Sequence, residues 1–165
     1  MNATDILKYG QSTVQQVIEG FPESAWETPG ACGVWSTRDI IAHLTSFEHV
    51  LVDVLSAFVE GVSSSTPTPG SYLSKYIDPN GDFNDSEVVA RKEKSMRDVL
   101  GEFNDTHAQV MSMVVQIAPE TLRQNGTLPW YGADYALDDF IVYAFYGHKR
   151  EHSAQIAAFH DLLKR

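Results

Sequence analysis

Three histidines have the residue type and spacing that a metal ion requires. His148 and His152 are four residues apart in a segment with helical periodicity. They would lie about 40° apart around a helix and about 6 Å apart along it, so both imidazoles can point at one metal ion. His43 lies on the inward face of another predicted helix, beside Phe47. Together the three could form a set of neutral nitrogen ligands that leaves positions open for water or substrate.

The same histidines also have a purely structural interpretation. His43, His148 and His152 all fall on apolar stripes predicted to face the core. A buried imidazole is tolerated there when hydrogen bonds satisfy its nitrogens, and the spacing His-x-x-x-His also arises by chance. Spacing alone therefore leaves both a metal site and hydrogen-bonded core histidines open.

The remaining histidines are weaker candidates. His49 is six residues after His43 and points about 120° away around the helix, and His160 is about 12 Å beyond His152 along its helix. His107 lies on the inward stripe of the predicted third helix. We expect His107 to be a hydrogen-bonded core residue, with a fourth ligand or a ligand-orienting role as the alternative.

A few other side chains could assist such a site. Asp39 lies one turn before His43 and could orient it, although its position three residues after Ser36 favours a helix-capping role. Three aromatic residues adjoin the predicted starts of the second and fourth helices, either as caps on the core or as a substrate platform: Trp35, Trp130 and Tyr131. No other nucleophile or phosphate-binding motif is present, and the catalytic residues remain unknown.

Four long segments have the apolar periodicity of amphipathic helices, and no convincing strand pattern is present. The predicted helices cover about 4–20, 36–61, 86–118 and 138–165. Helices of this kind joined by loops predict an all-α four-helix bundle. The length of 165 residues suits one domain, which we place at 1–165. The segment 61–85 is predicted to be the least structured, either a plain crossover connection or one that also lines a site.

Composition excludes some classes of binding partner. The chain has 22 acidic and 12 basic side chains and a net charge of −10, without the basic surface that binding to nucleic acid or anionic membranes needs. No apolar run approaches the length of a membrane span, and no signal peptide is recognised at residues 1–5. The lone Cys32 cannot form an internal disulfide. We therefore expect a cytoplasmic protein that binds neither nucleic acid nor membrane.

Two segments resemble the signatures of a known family. Residues 35–44 read Trp-Ser-Thr-Arg-Asp-Ile-Ile-Ala-His-Leu, and residues 147–156 read Gly-His-Lys-Arg-Glu-His-Ser-Ala-Gln-Ile. Their combination resembles the DinB/YfiT-like superfamily of metalloproteins. The resemblance implies a bundle of up-down-down-up topology, with a long crossover between its second and third helices. It also implies a divalent metal, usually zinc or nickel, held by His43, His148 and His152.

The same resemblance suggests a chemistry. Characterised relatives include thiol-dependent transferases, maleylpyruvate isomerases and some hydrolases, and a homodimer is compatible with the family. The leading hypothesis is an enzyme whose metal activates a low-molecular-weight thiol, or water, for attack on a small electrophilic substrate. The alternative is a non-catalytic, metal- or ligand-binding bundle with a role in stress response. Neither the substrate, the thiol nor the native metal can be inferred from the residues.

Overall fold

The structure is a computed structural model that describes residues 2–61 and 67–165. Its helices are α1 (Ala3–Glu19), α2 (Thr37–Glu60), α3 (Tyr72–Tyr76), α4 (Phe83–Ala90), α5 (Met96–Val114), α6 (Pro119–Leu122), α7 (Leu137–Ile141) and α8 (His148–Leu163). A 3₁₀ turn (Glu23–Ala25) follows α1, and a π-helical segment (Val142–Gly147) joins α7 to α8. Strands β1 (Pro29–Cys32) and β2 (Trp35–Ser36) form a small antiparallel hairpin.

The four long helices form the predicted bundle. Paired residue numbers increase together on α2 and α5, which are therefore parallel: the Arg38 side chain bonds Lys94, and Ser56 contacts Met113. Helices α1 and α8 are parallel by the same criterion: Gln11 contacts Lys149, and Phe21 stacks on Phe159. Helices α1 and α5 are antiparallel: Gln11 contacts Asn104, and Glu23 pairs with Arg97. The predicted up-down-down-up, all-α topology is confirmed.

Helix α2 begins and ends at residues that predict those boundaries. The Ser36 side chain accepts from the Asp39 backbone N–H, and the Asp39 carboxylate accepts from the Ser36 backbone, which completes a capping box. Gly61 ends the helix in the left-handed region at φ +67°, where a Cβ would be strained. The predicted boundaries of α2 are thus correct.

The predicted third helix is wrong at its N-terminus. Residues 83–90 form the separate helix α4, and α5 begins at Met96, ten residues after the predicted start. The buried Arg38 guanidinium explains the break, because it donates to the backbone carbonyls of Arg91, Lys92 and Lys94. The guanidinium occupies the space that a continued helix would need beside these carbonyls, and Ser95 caps a new helix.

The segment 61–85 is more ordered than predicted, because it contains α3 and the start of α4. Asp53 on α2 accepts from the Leu73 backbone N–H and holds α3 in place. Five more charged side chains, which we call the crossover network, tie this segment to α5: Lys75, Glu87, Arg91, Lys94 and Glu102. The serine-rich part of the predicted loop, residues 62–66, lies outside the described residues.

Two further features were not predicted. The hairpin β1–β2 is too short to produce a recognisable alternation of apolar and polar residues. The predicted fourth helix is interrupted by the π-helical segment Val142–Gly147, whose hydrogen bonds span one residue more than those of an α-helix. That segment lies directly before His148.

Buried polar side chains form a layer between two apolar clusters. One cluster contains Leu7, Leu51, Val110 and Phe145, and the other contains Val14, Ile40, Phe103 and Ile156. Between them, every bundle helix contributes buried polar side chains, which we call the polar layer: Gln11, Thr45, Ser46, Glu48, Thr106, His107, Lys149, His152 and Ser153. Helix α2 is apolar and long enough to cross a membrane by composition, but 67% of its apolar window is buried. That is the pattern of a core helix in a soluble globular domain.

Candidate metal centre

The three predicted histidines come together between α2 and α8. The Nε2 atom of His148 lies 2.9 Å from the Nε2 atoms of both His43 and His152. One ligand nitrogen from each ring lies within 4.8 Å of the others. His43 and His152 are buried, whereas His148 is partly exposed. Part of the His148 side chain is therefore exposed to solvent.

Local structure places each ring. His43 lies two turns after the start of α2, whose position is fixed by the capping box and by the Arg38 guanidinium. His148 is the first residue of α8, and His152 follows one helical turn later on the same face. The antiparallel helices α2 and α8 therefore supply the three rings: α2 supplies one histidine, and α8 supplies two histidines four residues apart.

Burial keeps the three rings neutral. Burial, and then repulsion from His148 and His152, lowers the pKa of His43 to about 2. Burial and the neighbouring His152 lower the pKa of His148 to about 4, and burial lowers the pKa of His152. Neutral imidazoles keep a lone pair for a metal ion at physiological pH.

The hydrogen bonds of His152 favour a lone pair facing the cluster. Its Nδ1 atom lies 2.8 Å from the Gln155 side-chain oxygen, so Nδ1 carries the proton and Nε2 is unprotonated. His43 Nδ1 is buried without a hydrogen-bond partner among the described residues. A cluster whose nitrogens converge on each other rather than on protein acceptors is poorly satisfied by hydrogen bonding alone.

The spacing also fits a shared ion. Bonds of about 2.1 Å to one ion place two imidazole nitrogens about 2.9–3.4 Å apart at ordinary coordination angles. Two of the three separations, from His148 Nε2 to His43 Nε2 and to His152 Nε2, are 2.9 Å and fall at the lower end of that range. The donor set, three neutral imidazole nitrogens, suits first-row transition metals, among them zinc, nickel, copper and iron. The residues therefore fit a divalent ion.

Aromatic rings surround the histidines. The Trp35 ring centroid lies 5.0 Å from that of His43, and its indole N–H donates to Asp85. The Phe47 ring centroid lies 4.4 Å from that of His148 and 4.9 Å from that of His43. Phe83 of α4 then packs against Phe47. The crossover segment thus contacts the rings that surround the histidines, which supports the site-lining alternative for this segment.

Two predicted accessory residues have structural partners instead. Asp39 is occupied by the capping box and by an ion pair with Arg38. His107 is buried, and its Nδ1 atom bonds the Glu48 carboxylate at 2.9 Å. Neither residue contacts the three histidines through a described hydrogen bond, so their capping and core interpretations fit the structure better.

Trp130 and Tyr131 lie farther from the cluster. Trp130 packs against Tyr76 and Phe140, and Tyr131 packs against Phe140 as well. Trp130 reaches the histidines indirectly, through Tyr76 or through Phe140 and Phe145, and both paths lead to Phe47. Among the predicted aromatic residues, Trp35 alone contacts a ring of the cluster in the described structure.

Sequence reasoning missed a buried ionic cluster next to the site. Lys149 Nζ lies 2.7 Å from Glu48 Oε1, and the two side chains are 2% and 0% exposed. Lys149 also donates to Gln11, and His107 bonds the other Glu48 oxygen. We call Gln11, Glu48, His107 and Lys149 the core network. Because Lys149 follows His148 directly, the network begins one residue from the candidate ligand.

Comparison with known proteins places the chain in a family. The sequence profile of the DinB superfamily matches residues 6–156. The chain belongs to the DinB superfamily. The predicted family is thereby confirmed, and membership together with the three-histidine cluster fits metal binding. No curated protein matches the chain.

A solved structure is similar over nearly the whole chain. That structure, "Sibling Lethal Factor Precursor - DfsB", superposes with a TM-score of 0.78. The match covers 99% of this DinB superfamily chain and 95% of the other, at 16% sequence identity. At that identity the likeness supports the fold alone.

Proposed function

We propose that this DinB superfamily protein is a metal-dependent enzyme in which His43, His148 and His152 bind one zinc or nickel ion. A bound divalent ion supplies Lewis acidity and lowers the pKa of a thiol or water held beside it. The reaction proposed is attack by a low-molecular-weight thiol, or by water, on a small electrophilic substrate. The convergence of three neutral imidazole nitrogens carries the proposal.

The chain's own side chains orient the histidines and form their surroundings. Gln155 holds the His152 ring in the tautomer whose Nε2 faces the cluster. Trp35 and Phe47 give the surroundings of His43 an apolar character, which excludes water and strengthens electrostatic interactions. The partial exposure of His148 is the feature that supports entry of a small molecule.

The proposal includes a cellular setting. A net charge of −10 supports a small-molecule substrate rather than nucleic acid or an anionic membrane. We propose a cytoplasmic location, where a low-molecular-weight thiol would be available in reduced form. A homodimer is compatible with this proposal and is tested directly by light scattering.

Metal content is the first test. The untagged full chain should contain about one zinc or nickel ion per molecule by elemental mass spectrometry. His43→Ala and His152→Ala should lose that metal while keeping their helical circular dichroism. His160→Ala is the matched control, because His160 lies on α8 but packs against Phe21. Full occupancy in His152→Ala would show that the ligands are assigned wrongly.

Activity is the second test. The metal-loaded protein should accelerate conjugation of a reduced thiol to an activated electrophile, or hydrolysis of that electrophile, and His152→Ala should not. Metal binding without turnover of any thiol and electrophile pair would instead favour the non-catalytic binding bundle. A wild-type chain that binds no divalent metal would remove the proposed enzyme and the metal-binding form of the alternative.

A further inference from the structure

The core network joins the same two helices that carry the histidines. Lys149 on α8 pairs with Glu48 on α2 at 2.7 Å, while His148 on α8 meets His43 on α2 at 2.9 Å. Glu48 is five residues after His43, about 140° around α2, and Lys149 is about 100° around α8 from His148. The two contacts therefore join one face of α2 to one face of α8, and a second face of α2 to a second face of α8.

The network also reaches the other two bundle helices. Lys149 donates to Gln11 of α1 at 3.2 Å, and His107 of α5 bonds Glu48 at 2.9 Å. Gln11 in turn donates to Asn104 of α5. One buried ammonium and one buried carboxylate are thus held by all four helices at a single level of the bundle.

The structure makes room for this arrangement. A Cβ at Gly10 would lie 3.3 Å from Lys149 Cδ and 3.5 Å from the Tyr146 ring. The absence of a side chain at position 10 lets the Lys149 stem pass between α1 and α8. The ammonium then lies 5.2 Å from the centre of the Phe103 ring, beside the apolar cluster.

Stability alone does not account for a fully buried ion pair. Removing two charges from water costs about as much as their attraction returns, and apolar replacements of similar volume are often as stable. The best-attested role of such a pair is to specify the register of packed helices. Here the charged level lies between two apolar clusters, so sliding α8 would place Lys149 among apolar side chains.

Small helix movements would disperse the histidines. Side-chain tips lie about 5–6 Å from a helix axis, so a rotation of about 20° displaces them by about 2 Å. That distance is comparable with the separation of the Nε2 atoms, 2.9 Å. Apolar packing tolerates movements of this kind better than a close, buried ion pair does.

We propose that Glu48 and Lys149, supported by His107 and Gln11, are positioning residues that hold α8 in the rotation and register at which the three histidines converge. The inference rests on the proposed function, because convergence matters only if the histidines bind a metal. It assigns the core network a role in the affinity and geometry of that site, separate from its contribution to stability.

The test compares metal affinity with stability in the full-length chain. Co²⁺ is titrated into metal-free protein, with the dissociation constant measured by chelator competition and the geometry by visible absorption bands. We expect Glu48→Leu/Lys149→Met to unfold at a urea midpoint equal to or above that of the wild type, yet to bind Co²⁺ at least about tenfold more weakly with shifted bands.

Two further variants complete the test. Glu23→Gln/Arg97→Met removes one anion and one cation from an exposed pair and should bind Co²⁺ as the wild type does. Glu48→Gln keeps the shape of the side chain and the bond to His107, and should weaken Co²⁺ binding even if the double variant does not fold.

Wild-type affinity and absorption in Glu48→Gln, or in a folded double variant, would overturn the inference alone. A wild type that binds no Co²⁺, Zn²⁺ or Ni²⁺ would overturn both the inference and the proposed function.

Discussion

The core network and the crossover network both remove charge from water, but they do so with different degrees of redundancy. In the core network, one lysine serves one carboxylate, and Lys149 and Glu48 are 2% and 0% exposed. In the crossover network, Glu102 contacts Arg91 and Lys94, and it also accepts from His49. Both Lys75 and Lys94 are about half exposed, so water shares in the solvation of that network.

This difference separates two uses of buried charge. The crossover network can lose one contact and keep a paired carboxylate, as suits a connection that must stay attached to α5. In the core network, Glu48 has one lysine, Lys149, and one histidine, His107, as its described partners, so its geometry depends on a single Lys–Glu ion pair. The less redundant network is the one that adjoins the candidate metal centre, where small displacements matter most.

The largest predicted effect comes from unpairing the core network. Burial raises the pKa of Glu48, but the charges and hydrogen bonds of Lys149 and His107 together lower it below its ordinary value, so the carboxylate is ionised at neutral pH. Lys149→Met leaves that charge buried without its cation. We expect a loss of about 3–5 kcal/mol in the free energy of unfolding by urea. A loss below about 1 kcal/mol would contradict the proposed lack of redundancy.

Removing a cation from the crossover network should lower the free energy of unfolding by less than removing Lys149 does. Arg91 is buried and donates to Glu87, Glu102 and Tyr72. After Arg91→Met, Lys75 still pairs with Glu87, and Lys94 still pairs with Glu102. We therefore expect a loss of about 2 kcal/mol in the free energy of unfolding, measured by the same urea titration. Equal losses in Arg91→Met and Lys149→Met would remove the contrast between the two networks.

The crossover network should also contribute to the pH dependence of stability in acid. Burial raises the pKa of the Glu102 carboxyl, but hydrogen bonds from Arg91, Lys94 and His49 outweigh burial and lower that pKa to about 2 from 4.5. Because the folded-state pKa is the lower one, this carboxylate stabilises the fold above pH 4.5, and the stabilisation is lost as the pH falls toward 2. We expect Glu102→Gln to flatten the pH dependence of the unfolding free energy in that range. Parallel wild-type and variant curves would refute this.

The smallest predicted effect concerns the space around Lys149. Alanine is the better helix former by about 1 kcal/mol, but a Cβ at Gly10 lies 3.3 Å from Lys149 Cδ. The core network holds the Lys149 stem, so it cannot move away. We expect Gly10→Ala to lower the unfolding free energy by about 0.5–1 kcal/mol. The same substitution should be neutral or stabilising in a Lys149→Met background, and additive effects of the two substitutions would contradict the crowding.

Much of the fold could be predicted because its signals are local. The Ser36 and Asp39 capping box, the apolar stripe of α2 and the turn at Gly61 all lie within a few residues of the structure they determine. The pairing of His148 with His152 follows from helix geometry in the same way. The prediction that His43 joins that pair in a metal site depended on the family resemblance, because spacing alone did not exclude hydrogen-bonded core histidines.

The features that could not be predicted depend on distant residues. The break between α4 and α5 is made by Arg38, which is more than fifty residues earlier in the chain. Glu48 and Lys149 carry charges, and charged residues on a helix usually indicate its exposed face. Nothing near either residue in the sequence shows that the other will meet it in the core.

The π-helical segment Val142–Gly147 has a consequence for how this chain tolerates changes in length. A π-helical turn holds one residue more than an α-helical turn. The segment therefore changes the angular position of the side chains of α8 relative to those of α7. Deleting one residue there could restore a continuous α-helix, but it would turn Phe140 and Ile141 by about 100° relative to His148 and His152. Either the aromatic packing of α7 or the orientation of the histidines would then be lost. The extra residue in this segment lets a single helix meet two surfaces whose angular positions do not match.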